Sequence, residues 1–305
     1  NVLSELLGDW KKGTTRWARV NRRGRSIIDE QSYPSRNQEY LLYQTLLGSW
    51  PLEPMDADAE QAYRERIIAY MHKAMREAKV VTSWLNPSER HEQAAKEFIE
   101  AVLDPENTAF RDDFVEFQRR IACYGIYNSL AQVALKIGAP GVPDFYQGTE
   151  LWDFSLVDPD NRRPVDYERR AALLEELKSA SAGEGGARRM FERFASSPAQ
   201  DSFKLAVTHR LLEFRRTHAD IFQHGDYEAL AFEGNRRVAL RFVALVPCKT
   251  CEHGEYDRRD DGDGTHEAAL LHLFTRQIVL RTAVQWRRQI EDRIEKTRVA
   301  QTQVT

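Results

Sequence analysis

GVPDFYQGTELWDFSLVDPDNRRPVDY, residues 141–167, passes from a short apolar run into a dense set of polar and aromatic groups. Val142, Pro143, Phe145 and Tyr146 fit a short buried strand, and Gly148 marks where such a strand turns into a loop. The chemistry-bearing side chains therefore fall just past a strand end, which in a β/α barrel is the face that binds substrate. Asp144, Gln147, Glu150, Trp152, Asp153, Asp158, Asp160, Asn161, Arg162 and Arg163 offer carboxylate acceptors, paired guanidinium groups and stacking rings, a set suited to a polyhydroxylated ligand.

Upstream, the chain reads as helices. Leu3, Leu6, Leu7 and Trp10 recur at helical spacing, and Trp17 and Val20 continue the stripe past Gly13. The cluster Arg19, Arg22, Arg23 and Arg25 is read as helix-end charge. Residues 26–38 are expected to be a polar connection. Tyr40 to Leu47 form an amphipathic helix that Gly48 and Pro51 stop. A long helix follows from Asp58 to Val81, with Tyr63, Ile67, Tyr70, Met71 and Met75 on its buried side. TSWLNP at 82–87 interrupts it, and Ser88 is placed to cap the next helix. Trp84 in that turn reads either as a packing residue or as a stacking platform for the apolar face of a sugar ring. From Thr108 to Lys136 an apolar-rich helix encloses Cys123, expected to be inert, and delivers the chain through Gly138, Pro140 and Gly141 into the 141–167 run.

Downstream, 169–178 is a helix, SASAGEGGA at 179–187 a flexible linker, and 203–217 a further helix whose Arg210, Arg215, Arg216 and His218 read as a solvated face. Residues 227–232 and 237–246 read as two strands. The tail holds Cys248, Cys251, His266 and His272 at loose zinc-finger spacing, but EHGEYDRRDDGDGT between them lacks the apolar positions that pack a finger, and no metal is assigned. DDGDG is not a calcium loop either, since alignment on Gly262 puts Arg259 and Ala268 at ligand positions. Residues 268–298 read as one basic and apolar helix.

The run PGVPDFYQGTELWDFSLVDPDNRRPVDY resembles the last barrel strand and following loop of the maltooligosyl trehalose synthase family, within the α-amylase superfamily. RWARVNRR at 16–23, RNQEYLLYQTLLGSWP at 36–51, TSWLNP, KLAVTHRLLEFRR at 204–216 and GDYEAL at 225–230 extend it more weakly, over roughly three quarters of the chain. The resemblance implies a mainly α chain with a few strands: the C-terminal part of a (β/α)8-barrel glycosidase-type fold with a helical insertion and the start of a β-sandwich. Its parts are expected at 1–35 (barrel-associated helices), 36–105 (helical insertion), 106–222 (last helix/strand/helix unit with the substrate loop), 223–247 (start of the β domain) and 248–305 (divergent tail). The implied activity is an intramolecular transglucosylation that turns the reducing-end α-1,4 linkage of a maltooligosaccharide into an α,α-1,1 linkage.

The family's nucleophile, general acid and stabilising carboxylate belong to motifs on earlier strands that do not occur here, so no residue of this chain is assigned a catalytic role. The chain is expected to be a fragment, inactive alone, whose partner is the missing N-terminal catalytic segment of the same protein. The expected substrate-binding residues are Trp84, Asp144, Tyr146, Gln147, Glu150, Asp158, Asp160, Asn161, Arg162 and Arg163. At least one of the two arginines is expected to pair with Asp158, Asp160 or Glu150 through a planar fork. The alternative reading is a non-catalytic helical module that binds carbohydrate or protein.

Composition bounds these readings. The chain has 305 residues, of which 42% are hydrophobic, enough to bury a core in one or two domains. A formal net charge of -3 argues against general nucleic-acid binding. Three cysteines are too few for a disulfide framework and point to a reducing, cytoplasmic setting. No apolar run reaches the roughly 20 residues that span a bilayer, and no cofactor is implied.

Overall fold

The computed structural model describes residues 2–229 and 243–246, with side chains described to residue 225. They fall into two compact units, one formed by the described residues up to 126 and by 147–170, the other by 127–146 and the described residues from 171. The architecture is mainly helical, as expected. Among the described residues the strands form only two antiparallel hairpins.

In the first unit, α1 (Val2–Glu5) and α2 (Leu7–Val20) lead through a 3-10 turn at Asn21–Gly24 into β1 (Ser26–Ile28) and β2 (Gln31–Tyr33). This hairpin replaces the polar connection expected at 26–38. Its two-residue turn places Asp29 and Glu30 at φ 49° and 65°, the left-handed geometry of primed hairpin turns, here without the glycine that usually signals them. Next come α3 (Arg36–Ser49), α4 (Ala57–Ala78), α5 (Glu89–Val102) and the start of α6 (Thr108–Gly138). Helix α3 begins one turn earlier than its apolar stripe, because Ser35 and Gln38 form a reciprocal capping box. Gly48 lies inside the helix and does not stop it. The Trp50 N–H still donates to the Leu46 carbonyl at 2.9 Å, and Pro51 follows.

Trp17 is the centre of this unit's core. Its ring meets those of Trp10, Tyr43, Phe110, Phe114 and Phe117 edge-on, at centroid distances of 5.4–6.0 Å. The indole N–H donates to Asp113 Oδ2 at 2.5 Å, and Arg16 grips the same carboxylate, so the ring's one polar atom is satisfied. Leu42, Leu46, Trp50, Tyr63, Ile67, Met71, Phe98 and Ile99 belong to the same cluster, and Leu156 from the 147–170 segment packs against it.

The second unit contains the C-terminal part of α6, most of α7 (Tyr167–Ser181), α8 (Gly186–Ser196), α9 (Asp201–Thr217), α10 (Ala219–His224), and β3 (Asp226–Ala229) paired with β4 (Val243–Val246). Helix α8 occupies part of the expected linker, which shrinks to residues 182–185. Its Phe191 and Phe194 pack with Phe203 of α9, the last two rings stacked at 5.2 Å.

Two expectations are corrected here. Val142 to Tyr146 is not a strand: it has no ladder partner among the described residues, and Val142 is 95% exposed. A single extended segment leaves its own N–H and C=O groups unpaired, so apolar composition alone does not make it a strand. Nor is Arg215 part of a solvated face. Its guanidinium donates to the carbonyls of Ile137, Ala139 and Gly141, satisfying acceptors that the end of α6 leaves orphaned. The tail's Cys248, Cys251, His266 and His272 and its expected helix lie outside the described residues.

Replacing Trp17 with Ala removes the side chain that five aromatic rings share and unpairs Asp113. Urea unfolding followed by near-UV circular dichroism is expected to show a loss of about 3–5 kcal/mol, with the transition keeping its slope.

Candidate functional site

Helix α4 presents three different faces. Tyr63, Ile67, Met71 and Met75 are buried among the apolar residues of the first unit. His72 and Arg76 face α5, where His72 Nε2 is 3.0 Å from the Glu92 carbonyl and Arg76 forks onto the Glu92 carboxylate at 2.8 and 2.6 Å. Arg66 and Lys73, seven residues and so almost two full turns apart, carry the loop at 153–163.

That loop is held tightly. Arg66 Nε and Nη2 donate to Asp160 Oδ1 and Oδ2 at 2.9 Å each, and Nη2 also reaches the Phe154 carbonyl at 2.9 Å. Lys73 donates to the carbonyl of Asp158. The Leu156 N–H donates to Asp160 Oδ2 at 2.6 Å, closing the loop on itself. Upstream, Asp153 Oδ1 accepts from the backbone and hydroxyl of Ser155 at 2.9 and 2.6 Å. Burial pushes the Asp160 carboxyl up, but the bond from Arg66, the Leu156 N–H and the charges of Arg66 and Arg163 together outweigh it. The group titrates below the ordinary aspartate range.

The expected arginine pairs form, with different partners in the leading role. Arg162 makes an exposed ion pair with Asp158 at 2.5 Å. Arg163 donates from Nε to the Asp160 carbonyl at 3.0 Å and from Nη2 to Ser155 Oγ at 3.2 Å. The two-bond fork onto Asp160 is made by Arg66. Glu150 is paired with neither: Arg170 Nε donates to its Oε2 at 3.0 Å, and Nη2 of the same guanidinium donates to the Gly148 carbonyl at 2.9 Å. Gly148 has φ 91°, a left-handed conformation that glycine adopts without strain.

The structure thus brings Asp158, Asp160, Arg162 and Arg163 together on one loop beside Arg66 and Lys73. Glu150 is held separately by Arg170. Gln147 is exposed in the same unit, whereas Asp144 and Tyr146, both exposed, belong to the second. Trp84 sits in the turn after α4 with the Arg76 guanidinium 4.9 Å from its ring centroid. Ser88 precedes α5 as expected, but its hydroxyl pairs with His91 Nδ1 at 2.8 Å and makes no backbone cap. Burial pushes the Cys123 thiol up to about 11, matching its expected inertness. Among the described residues, no group of His, Cys, Asp and Glu is arranged to hold a metal. No described helix is long and apolar enough to cross a membrane.

Sequence reading missed Arg66, Lys73, Arg76 and Arg170. Their signal is weak but physical. Arg66 and Lys73 share a helix face that carries charge next to an apolar stripe, where a solvated face needs no such regularity.

No family model matches the chain. It is 34% identical over 193 residues, 63% of its length, to a Mycobacterium tuberculosis (strain ATCC 25618 / H37Rv) protein assigned as a maltooligosyl trehalose synthase, and covers 21% of that protein. A crystal structure of a maltooligosyl trehalose synthase matches with a TM-score of 0.64 at 34% identity, over 76% of this chain and 29% of the other. The maltooligosyltrehalose synthase of Arthrobacter ramosus matches with a TM-score of 0.61 at 28% identity, over 80% and 28%. The chain therefore spans about a fifth of the length of the curated relatives it matches. The resemblance read from residues 140–167 holds: the chain is homologous to a part of proteins bearing that name.

Glu92 supplies a pH test of this region. The Arg76 fork is the main reason its carboxyl is lowered from 4.5 to about 2, with Thr82 adding a second bond against the opposing effect of burial. A depressed carboxylate gives stability that is complete above its unfolded pKa and lost as pH falls through the folded one. Hydrogen exchange of the 82–88 turn is therefore expected to accelerate as pH drops from 4.5 towards 2, after correction for intrinsic rates. The Glu92→Gln variant is expected to lack this acid-dependent loss.

Proposed function

We propose that this chain forms the substrate-loop portion of a maltooligosyl trehalose synthase, an enzyme that rearranges the reducing end of a maltooligosaccharide into a trehalose linkage. The observation that carries this reading is the 34% identity over 193 residues to proteins that bear this name. In the proposed assembly, residues 36–105 are the helical insertion, 142–146 belongs to the last strand position of a (β/α)8 barrel completed by the rest of the protein, and β3 and β4 begin a β-sandwich.

The reaction that fits is a retaining double displacement. A carboxylic acid protonates the glycosidic oxygen, a carboxylate takes the glycosyl group, and the released glucose turns to attack through its anomeric hydroxyl. Those carboxylates are assigned to the part of the enzyme outside the span matched here. This chain's share is to bind, orient and keep water out. The glucosyl-enzyme survives only if water reaches it more slowly than the turned glucose does. Arg162 offers exposed donors for sugar hydroxyls, with the half-buried Asp158 carboxylate beside them. Asp160, whose oxygens are already engaged by Arg66 and Leu156, is an anchor of the loop more than a ligand.

The test is the product ratio of the complete enzyme carrying Arg162→Lys or Arg163→Lys. Lysine keeps the charge and loses the planar fork, so free glucose is expected to rise relative to trehalose ends as loop order falls. An unchanged ratio and rate in both variants removes the loop from the mechanism. The 305-residue chain alone is expected to form no trehalose ends from maltopentaose, and turnover abolished by Glu150→Gln would place the catalytic groups here after all.

A further inference from the structure

The turn after α4 holds large apolar side chains out into solvent: Trp84 is 57% exposed, Val80 80% and Leu85 100%. Exposed apolar groups on a slack loop need no explanation, but this turn is stapled. The Ser83 N–H donates to the Asn86 carbonyl at 3.1 Å, and the Asn86 N–H returns a bond to Ser83 Oγ at 3.0 Å. The Ser88 N–H donates to Thr82 Oγ1 at 2.9 Å, and that hydroxyl donates to Glu92 Oε1 at 2.6 Å. Glu92 in turn locks Arg76, whose guanidinium lies against the Trp84 ring. An indole backed by a fixed guanidinium and left more than half exposed is pre-organised to meet something, because its ordering has already taken place before any ligand arrives.

Helix geometry says where it stands. Arg76 follows Lys73 by three residues, so its direction lies about 60° around α4 from that of Lys73. Lys73 holds the Asp158 carbonyl, and Asp158 pairs with Arg162. The Trp84 turn and the Asp158–Arg162 end of the loop are thus carried on neighbouring faces of one rigid helix, about one turn apart.

We infer that Trp84 is a stacking platform for an outer glucosyl unit of an α-1,4-glucan whose nearer units engage the loop at Asp158 and Arg162. The inference rests on the function proposed above and adds to it a second contact point with the same ligand. The chemistry favours sugar. The ring presents a flat apolar face of the size of a pyranose, and the neighbouring loop adds an exposed guanidinium and carboxylate, donor and acceptor for hydroxyl groups. A protein partner, which would use Leu85 and Val80 as well, is the competing occupant.

The experiment is calorimetric titration of the 305-residue chain with maltoheptaose. Trp84→Ala is expected to weaken binding about tenfold, and Trp84→Phe, which keeps a ring, to recover most of it. Thermal unfolding is expected to be unchanged in both, since the side chain is largely solvated. Leu85→Ala separates the two occupants: it is expected to leave maltoheptaose binding as it was. Equal binding by the unaltered chain and Trp84→Ala overturns the inference, as does a loss in Leu85→Ala as large as in Trp84→Ala, or no binding by the unaltered chain. The product ratio of the Arg162 and Arg163 variants does not involve Trp84, so the function and the platform fail separately.

Discussion

The fork between Arg66 and Asp160 is the contact on which the site's shape depends. It joins positions 94 residues apart in sequence through two parallel bonds, and it does so from a helix whose opposite side is part of the core. Asp160 is partly buried, so without Arg66 its carboxylate would be desolvated with only the Leu156 N–H and the Arg163 charge to balance it. Breaking one partner of such a pair is costlier than never having made it, because the surviving charge stays behind in a poor environment. Helix α4 therefore transmits the rigidity of the core to a loop of polar residues that has little apolar surface of its own. Leu156 is the exception, packing against the Trp17 cluster and fixing the loop from below.

The same logic recurs away from the site. Glu39 is almost completely buried, and it accepts from Arg25 and from the Tyr43 hydroxyl at 2.8 Å. Tyr43 accepts from Asn21 Nδ2 at 3.0 Å, and Asn21 Oδ1 accepts from Asn107 Nδ2 at 2.9 Å. This chain of bonds links the turn after α2, helix α3 and the connection between α5 and α6. Glu39, Tyr43, Asn21 and Asn107 are each bonded to a neighbour in this network, which favours rigidity in a core, while the buried Nε of Arg25 has no hydrogen-bond partner. Burial raises the Tyr43 hydroxyl well above its ordinary pKa, which favours the neutral form that donates to Glu39.

The long helices were legible because their apolar residues repeat at 3.6-residue spacing: α4 and α6 lie within three residues of where periodicity puts them. Three kinds of feature were not. The β1–β2 hairpin turns on Asp29 and Glu30, and a left-handed glutamate has no composition signal. Helix α8 hides behind glycines that read as linker, although Gly183 and Gly185 only supply the left-handed turn before it. The segment 142–146 has the residues of a strand and lacks the neighbour that makes one. Of the site, the loop itself was legible from the density of its polar groups. The residues that hold it were not, because Arg66 and Lys73 are ordinary helix-surface cations until tertiary structure gives them something to grip.

The division of labour within the loop follows from which carboxylates are already engaged. A general acid needs a carboxyl that holds its proton near neutrality, and enzymes achieve this by burial away from cations. Asp160 is partly buried, yet Arg66 and the Leu156 N–H outweigh that burial and lower its pKa, the opposite of what a general acid needs. Glu150 meets the Arg170 guanidinium, which also holds the Gly148 carbonyl, so its geometry serves to fix the turn that opens the loop. Asp158 gives its carbonyl to Lys73 and its carboxylate to an exposed Arg162, an ion pair in high dielectric that is worth little as a structural staple. Of the two ion pairs that Arg162 and Arg163 make on the loop, it is the more exposed. Asp160 and Glu150 are engaged in holding the loop and the turn before it, and the Asp158–Arg162 pair is what remains for the proposed substrate.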